Sequence, residues 1–185
     1  MKIEERVIGA IQAGLESNWS RGMDLICPAI EATARKRYAK NKVTSEEFKR
    51  ILRESYPIIE AFIGAGLDLA GTVFPNVKIE SDGGKFIQKP DFSDIIYHAF
   101  RCSLAHGWEI ANEFTFTASP SQRVSQWLIH TGEGRIHMPD KTLWALIACV
   151  VFCEANSDIS TETGFWLTWG GAPAAREPPY HFDID

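Results

Sequence analysis

Positive charge is short in this chain: 19 Lys and Arg face 24 Asp and Glu, for a formal net charge of −5. That balance excludes general electrostatic capture of nucleic acid, which needs many phosphates neutralised by cations. DNA is therefore not expected as a partner, and any contact with RNA has to be a local site. Cysteine is also scarce, with Cys27, Cys102, Cys149 and Cys153 the complete set. No CxxC meets a second CxxC or an HxxxH, so a zinc site is not expected, and the thiols read as small buried apolar groups. Long apolar runs are missing as well. The longest, LWALIACVVFC, covers about half of a bilayer-spanning helix, so no membrane association is expected. The opening MKIEERVIGAIQAG carries acidic residues rather than the long apolar stretch of a secretory signal. These absences point to a soluble, cytoplasmic protein.

What is present fits one folded domain over residues 1–185, long enough to bury a substantial core. Eleven Phe and six Trp favour large rings packed in a core or sheltered at an interface. Ile3, Val7, Ile8, Ile11 and Leu15 recur at helical spacing over residues 2–15. A second helix is read over 22–41, with Pro28 in its first turn or at a bend. Thr44 with Glu47 signals the start of a third, and the pattern resumes after Pro57 before fading at Gly64, Gly66 and Gly71. Residues 72–90 read as a loop with short strand character at Val77–Glu80. Asp91 is an acceptable N-cap for a helix running to His106, where Gly107 suits a left-handed stop. Phe114, Thr115 and Phe116 are strand formers, and VSQWLIH, TGEG and RIHMP read as two strands around a glycine turn. Pro139 opens a last helix over 140–155, burying Leu143, Leu146, Ile147, Val150 and Val151. Residues 157–185 read as an irregular tail rich in Gly and Pro. The expected fold class is mainly α: a helical bundle with a small β-hairpin insertion at about 112–138.

Chemistry concentrates in DFSDIIYHAFRCSLAHGW. At about 100° per residue, Asp94, His98 and Arg101 fall in one stripe and could form a polar ladder or only a solvated face with a weak ion pair. His106 projects roughly 140° from Arg101 on that ideal wheel. It is, however, the last residue before Gly107, where the wheel no longer fixes its direction. A helix C-terminus there favours a protonated imidazole, which suits proton transfer near neutral pH. The basic run Arg35, Lys36, Arg37, Lys40 and Lys42 reads as the solvated, dipole-compensating end of a helix. The five histidines (His98, His106, His130, His137 and His181) lack a ligand spacing such as HExxH, so no metal or other cofactor is expected.

The segment Arg101-Cys102-Ser103-Leu104-Ala105-His106-Gly107 resembles the RxxxxH motif of HEPN domains, most clearly in the motif helix and more loosely in the helices before it and after Pro139. The resemblance implies an up-and-down helical bundle that forms a homodimer, with the Arg–His segments of two protomers facing one cleft. It implies a metal-independent endoribonuclease of defence, toxin or stress type, with RNA as substrate and an antitoxin or other protein as a further partner. Arg101 would then bind the scissile phosphate and His106 would transfer a proton, with His98, Asp94 and Cys102 as auxiliary positions. Many active members carry a polar residue directly after the arginine, where this chain has Cys102. In the group paired with nucleotidyltransferase antitoxins a tyrosine stands where this chain has Trp108, which has no hydroxyl to modify. The alternative is a catalytically silent module of the same kind that binds RNA, a nucleotide or a protein.

Overall fold

The computed structural model describes residues 1–63, 68–75, 77, 79–81, 84–102, 114–117 and 136–160. The described chain is mainly helical. It runs α1 (Ile3–Leu15), α2 (Trp19–Arg37), α3 (Ser45–Glu54), α4 (Tyr56–Ile63), β1 (Ile79–Glu80), β2 (Phe86–Ile87) and α5 (Phe92–Ile95). A π-helical segment (Ile96–Cys102) continues α5, followed by β3 (Phe114–Thr117), β4 (Ile136–Pro139), α6 (Lys141–Val151) and a 3-10 turn (Glu154–Asn156).

The N-termini follow capping chemistry. Asn18 accepts from the Arg21 N–H at 3.2 Å and so starts α2 at Trp19. Thr44 and Glu47 form the expected capping box of α3, with the Thr44 N–H donating to Glu47 at 2.7 Å. The earlier start of α2 takes Pro28 out of the first turn. It lies in the interior of the helix, where it cannot donate to the carbonyl of Asp24. The flanking turns remain helical because Ile26, Cys27, Ala29 and Ile30 are all buried.

α2 is the central element, packing on α1, α3, α6 and the π-helical segment, while α4 covers α6 from another side. Ala10, Ile11, Met23, Ile26, Ile30, Leu143, Leu146 and Ile147 are among the buried residues of this core. Each Ile, Leu and Met side chain among them contributes about 1.5–3 kcal/mol by leaving water. Val151, expected on the buried side of α6, is only partly buried and packs at the edge of the core. Asn156 ties the end of α6 to α2: its amide donates to Thr33 Oγ1 at 2.9 Å and to the Val150 carbonyl at 2.8 Å. Burial pushes the Cys149 thiol up to about 12, and Cys27 is buried too. Their burial is as expected.

Two glycines set how closely α6 approaches. A Cβ on Gly22 would stand 2.4 Å from Leu143 Cδ2, and one on Gly14 would stand 2.9 Å from Trp144 Cζ2. Leu143 is fully buried, so its methyl has no solvent to swing into. Gly22→Val is expected to destabilise the protein by about 1–3 kcal/mol through overpacking. The measurement is the urea midpoint, which should fall at unchanged m-value; an unchanged midpoint would show that α6 can step aside.

The strands form two pairs. β1 and β2 make an antiparallel ladder, with Ile79 opposite Ile87 and Glu80 opposite Phe86. β3 and β4, the two described strands at the ends of the expected insertion, pair in parallel, from Phe114 opposite Ile136 to Thr117 opposite Pro139. A parallel pair cannot be closed by a two-residue turn. The VSQWLIH and TGEG stretches between them lie outside the described residues, as does the tail beyond residue 160. Among the described residues, no helix is long and apolar enough to cross a membrane.

Candidate functional site

The helix that begins at Asp91 changes character after one turn. Its α-helical part is Phe92–Ile95, and from Ile96 to Cys102 the turn widens to a π-helix, with hydrogen bonds spanning five residues. Apolar side chains crowd this stretch on several sides. Ile95, Ile96 and Phe100 are fully buried, and Tyr97 and Ala99 nearly so. Phe100 packs on the Phe116 ring of β3 at 5.4 Å, and Tyr97 meets Phe48 of α3 edge-on at 5.3 Å. The segment is thus held on one side by β3 and on another by α3, with α2 alongside.

In a π-helix each residue advances by less than the 100° of an α-helix. The Asp94–His98–Arg101 stripe of the ideal wheel therefore does not persist as a ladder. Asp94 turns to α3 and Arg101 turns to α2. Asp94 is buried, and its Oδ1 accepts from Lys49 Nζ at 3.2 Å. It also closes a capping box: the Asp94 N–H donates to Asp91 Oδ1 at 2.8 Å, and the Asp91 N–H donates to Asp94 Oδ2 at 3.1 Å. Lys49 reaches Glu46 as well, at 2.9 Å. These contacts tie the start of α5 to α3. His98 is half-buried, with its ring edge-on to Tyr97 at 4.8 Å.

Among the described candidates, Arg101 is the charged side chain that stays partly exposed. Its side chain is 28% exposed, and both Nε (3.2 Å) and Nη2 (2.9 Å) donate to Glu31 Oε2. The guanidinium also lies over the Tyr97 ring, 5.7 Å from its centroid, a cation–π distance. Glu31 is shared: its other oxygen faces Arg35 Nη2 at 3.5 Å. One carboxylate thus stands between two guanidinium groups. Cys102 ends the π-helical segment; its side chain, His106 and Trp108 lie outside the described residues.

Sequence reasoning missed Glu31, Tyr97 and Lys49. A signal existed for two of them. Glu31 interrupts the buried run of α2 between Ile30 and Thr33, and Lys49 sits beside Phe48 on the apolar arc of α3. Tyr97 carried no such signal, since an aromatic ring in a helix usually reads as core.

Four of the five cations in the basic run at and beyond the end of α2 face carboxylates. Arg35 faces Glu31, Lys36 bonds Asp158, Arg37 donates to Glu54 at 2.8 Å, and Lys40 stands 3.9 Å from Glu47. That matches the solvated helix end read from the sequence. Among the described residues, no group of three or more His, Cys, Asp or Glu is arranged to hold a metal ion.

Asp91 offers a pH test of this end of the fold. Burial pushes its carboxyl up, but hydrogen bonds from Arg53, Ser93 and the Asp94 N–H outweigh burial and hold it below the ordinary value. A carboxyl depressed on folding stabilises the native state above its unfolded pKa, at about 4. That contribution is lost as pH falls through the folded value. The expected result is a urea midpoint that Asp91 leaves flat near neutrality and lowers in acid. Asp91→Asn should flatten the acid slope; an unaltered slope would remove Asp91 from acid unfolding.

A family model described as Rv1289 matches residues 2–172 of the chain. The uncharacterized protein Rv1289 of Mycobacterium tuberculosis is 30% identical over 169 residues, covering 91% of this chain and 78% of the relative. The uncharacterized protein Mb1320 of Mycobacterium bovis matches with the same identity and coverage. No solved structure matches the chain.

Proposed function

The chain belongs to the Rv1289 family, and we propose that it is a metal-independent endoribonuclease of HEPN type, acting as a homodimer on RNA. The observation that carries the reading is the state of Arg101. It is a partly exposed guanidinium at the end of a π-helical turn, fixed between Glu31 and Tyr97. π-Helical turns are rare and gather at functional sites. A cation held in one orientation is what a phosphorane needs, because its charge develops at a fixed place.

In this reading the ribose 2′-oxygen attacks the adjacent phosphorus, the bond to the 5′-oxygen breaks, and a 2′,3′-cyclic phosphate and a 5′-hydroxyl result. Arg101 stabilises the negative charge on the non-bridging oxygens. His106 removes the 2′ proton or gives one to the leaving 5′-oxygen, and a dimer supplies the second imidazole for the other transfer. The negative net charge fits a local phosphate site within a selective RNA contact rather than broad affinity.

The test is incubation of a structured RNA pool with the protein in EDTA. Wild type is expected to cleave and to leave cyclic phosphate ends, and Arg101→Ala and His106→Ala are expected to lose that cleavage while staying folded and of unchanged oligomeric state. Cleavage that persists in both variants would overturn the assignment of these residues. A second reading has its own observation: the Glu31 carboxylate already neutralises Arg101, as in a silent module that binds RNA, a nucleotide or a protein partner. A folded wild type that cleaves nothing in the pool would favour that module.

A further inference from the structure

We propose that Glu31 is the positioning residue of the site: it holds the Arg101 guanidinium in the orientation that meets the phosphate, and its charge restrains how tightly RNA binds before reaction. This rests on the endoribonuclease reading and extends it to a residue on another helix, 70 positions earlier in the chain.

The contact geometry has three parts. Glu31 Oε2 accepts from Nε and Nη2 of Arg101, so one edge of the planar fork is fixed toward α2. The Tyr97 ring lies against the same guanidinium and limits its tilt. Glu31 itself is steadied from the far side by Arg35, one helical turn along α2. Arg101 would otherwise be a long side chain with several rotatable bonds, and ordering it at the moment of reaction would cost entropy. The pair settles that ordering during folding, which is the gain a pre-oriented catalytic group offers.

The electrostatics give Glu31 a signature that a merely structural residue lacks. Glu31→Gln preserves shape and one acceptor but removes the negative charge between Arg35 and Arg101. The site then becomes more positive and attracts the RNA backbone more strongly, while the guanidinium is less firmly oriented. The kinetic expectation is a split: kcat falls about tenfold while KM for RNA also falls. Loss of a structural contact would instead lower the amount of active protein and leave KM where it was. Glu31→Asp, shorter but still charged, should restore part of kcat and return KM toward wild type. In an Arg101→Ala background, Glu31→Gln should change kcat no further, because the two act as one unit.

The experiment pairs this kinetic set with NMR of the Arg101 Nε–H in the full-length protein. The wild-type order parameter is expected near that of rigid backbone, about 0.85, and in Glu31→Gln it is expected to drop below about 0.6. A guanidinium equally rigid in both proteins overturns the proposal. So does unchanged kcat and KM in Glu31→Gln when wild type cleaves through Arg101; that outcome leaves the endoribonuclease reading standing. A wild type that cleaves nothing overturns the endoribonuclease reading and the catalytic role of Glu31 with it.

Discussion

Arg101→Ala is expected to lower the rate of RNA cleavage by about 10²–10³-fold, the usual cost of deleting one pre-oriented donor at a site of developing negative charge. Stability should change far less. Removing Arg101 leaves Glu31 facing Arg35 at a partly exposed position, and such a pair contributes about 1 kcal/mol or less. The two effects therefore separate: a urea midpoint near wild type alongside cleavage near background. Arg101→Lys sharpens the test. Lysine keeps the charge but offers a point cation in place of a fork, so it cannot give Glu31 the paired Nε and Nη2 donors. It should fall between wild type and alanine. A lysine variant at full rate would show that charge alone suffices and would remove the orientation argument. His106→Ala should lose about 10²–10⁴-fold, the range for a general acid or base.

The second large effect is expected at Asp94, and it is one of stability. Asp94 is buried, pairs with the buried Lys49, and closes the capping box that starts α5. Breaking a buried ion pair from one side costs about 3–5 kcal/mol, because the remaining charge is left without its counter-charge. Lys49 retains Glu46, whose side chain is largely exposed, so Asp94→Ala should cost about 3 kcal/mol, at the lower end. Equilibrium urea unfolding measures it. The double variant Lys49→Met with Asp94→Ala should recover part of the loss, since the buried cation is gone too. A single variant that kept its stability but lost cleavage would return Asp94 to the catalytic group and overturn the structural assignment.

The two arginine and aspartate results together test why the sequence stripe separated. On an ideal wheel Asp94, His98 and Arg101 share a face. In the fold they part where the π-helical segment alters the angular step and β3, α3 and α2 compete for the same short stretch of chain. Ile95, Ile96 and Phe100 are all fully buried and fill the arc opposite that stripe on the ideal wheel, so what parts the stripe is the pairing of Asp94 with Lys49 on α3 and of Arg101 with Glu31 on α2. The sequence contains this crowding, as IIYHAF, but periodicity alone does not say that the helix widens rather than rotates.

Other features were legible because they are local. Asp91 as N-cap, Thr44 with Glu47, the Phe114–Thr117 and Ile136–Pro139 strands, and α6 after Pro139 each depend on residues within a few positions of one another. Capping and alternation act over that range. The first turn was not the place of Pro28 because α2 starts at Trp19, capped by Asn18, an ordinary polar residue in a stretch with little apolar period. The parallel pairing of β3 with β4 was not legible at all, since a strand's own residues fix its faces but not the direction of its partner.

By itself, then, the sequence determined the helical class, the main helix starts, the net negative charge, and Arg101 as the residue on which to test function. Tertiary structure alone decided that Arg101 meets Glu31 across 70 residues of chain, that Asp94 serves Lys49, and that Gly14 and Gly22 admit α6. The physical reason is one of range. Helix formation and capping are settled between neighbours in sequence, whereas the partner of a charge and the fit of a ring are settled only when distant helices compete for the same buried space.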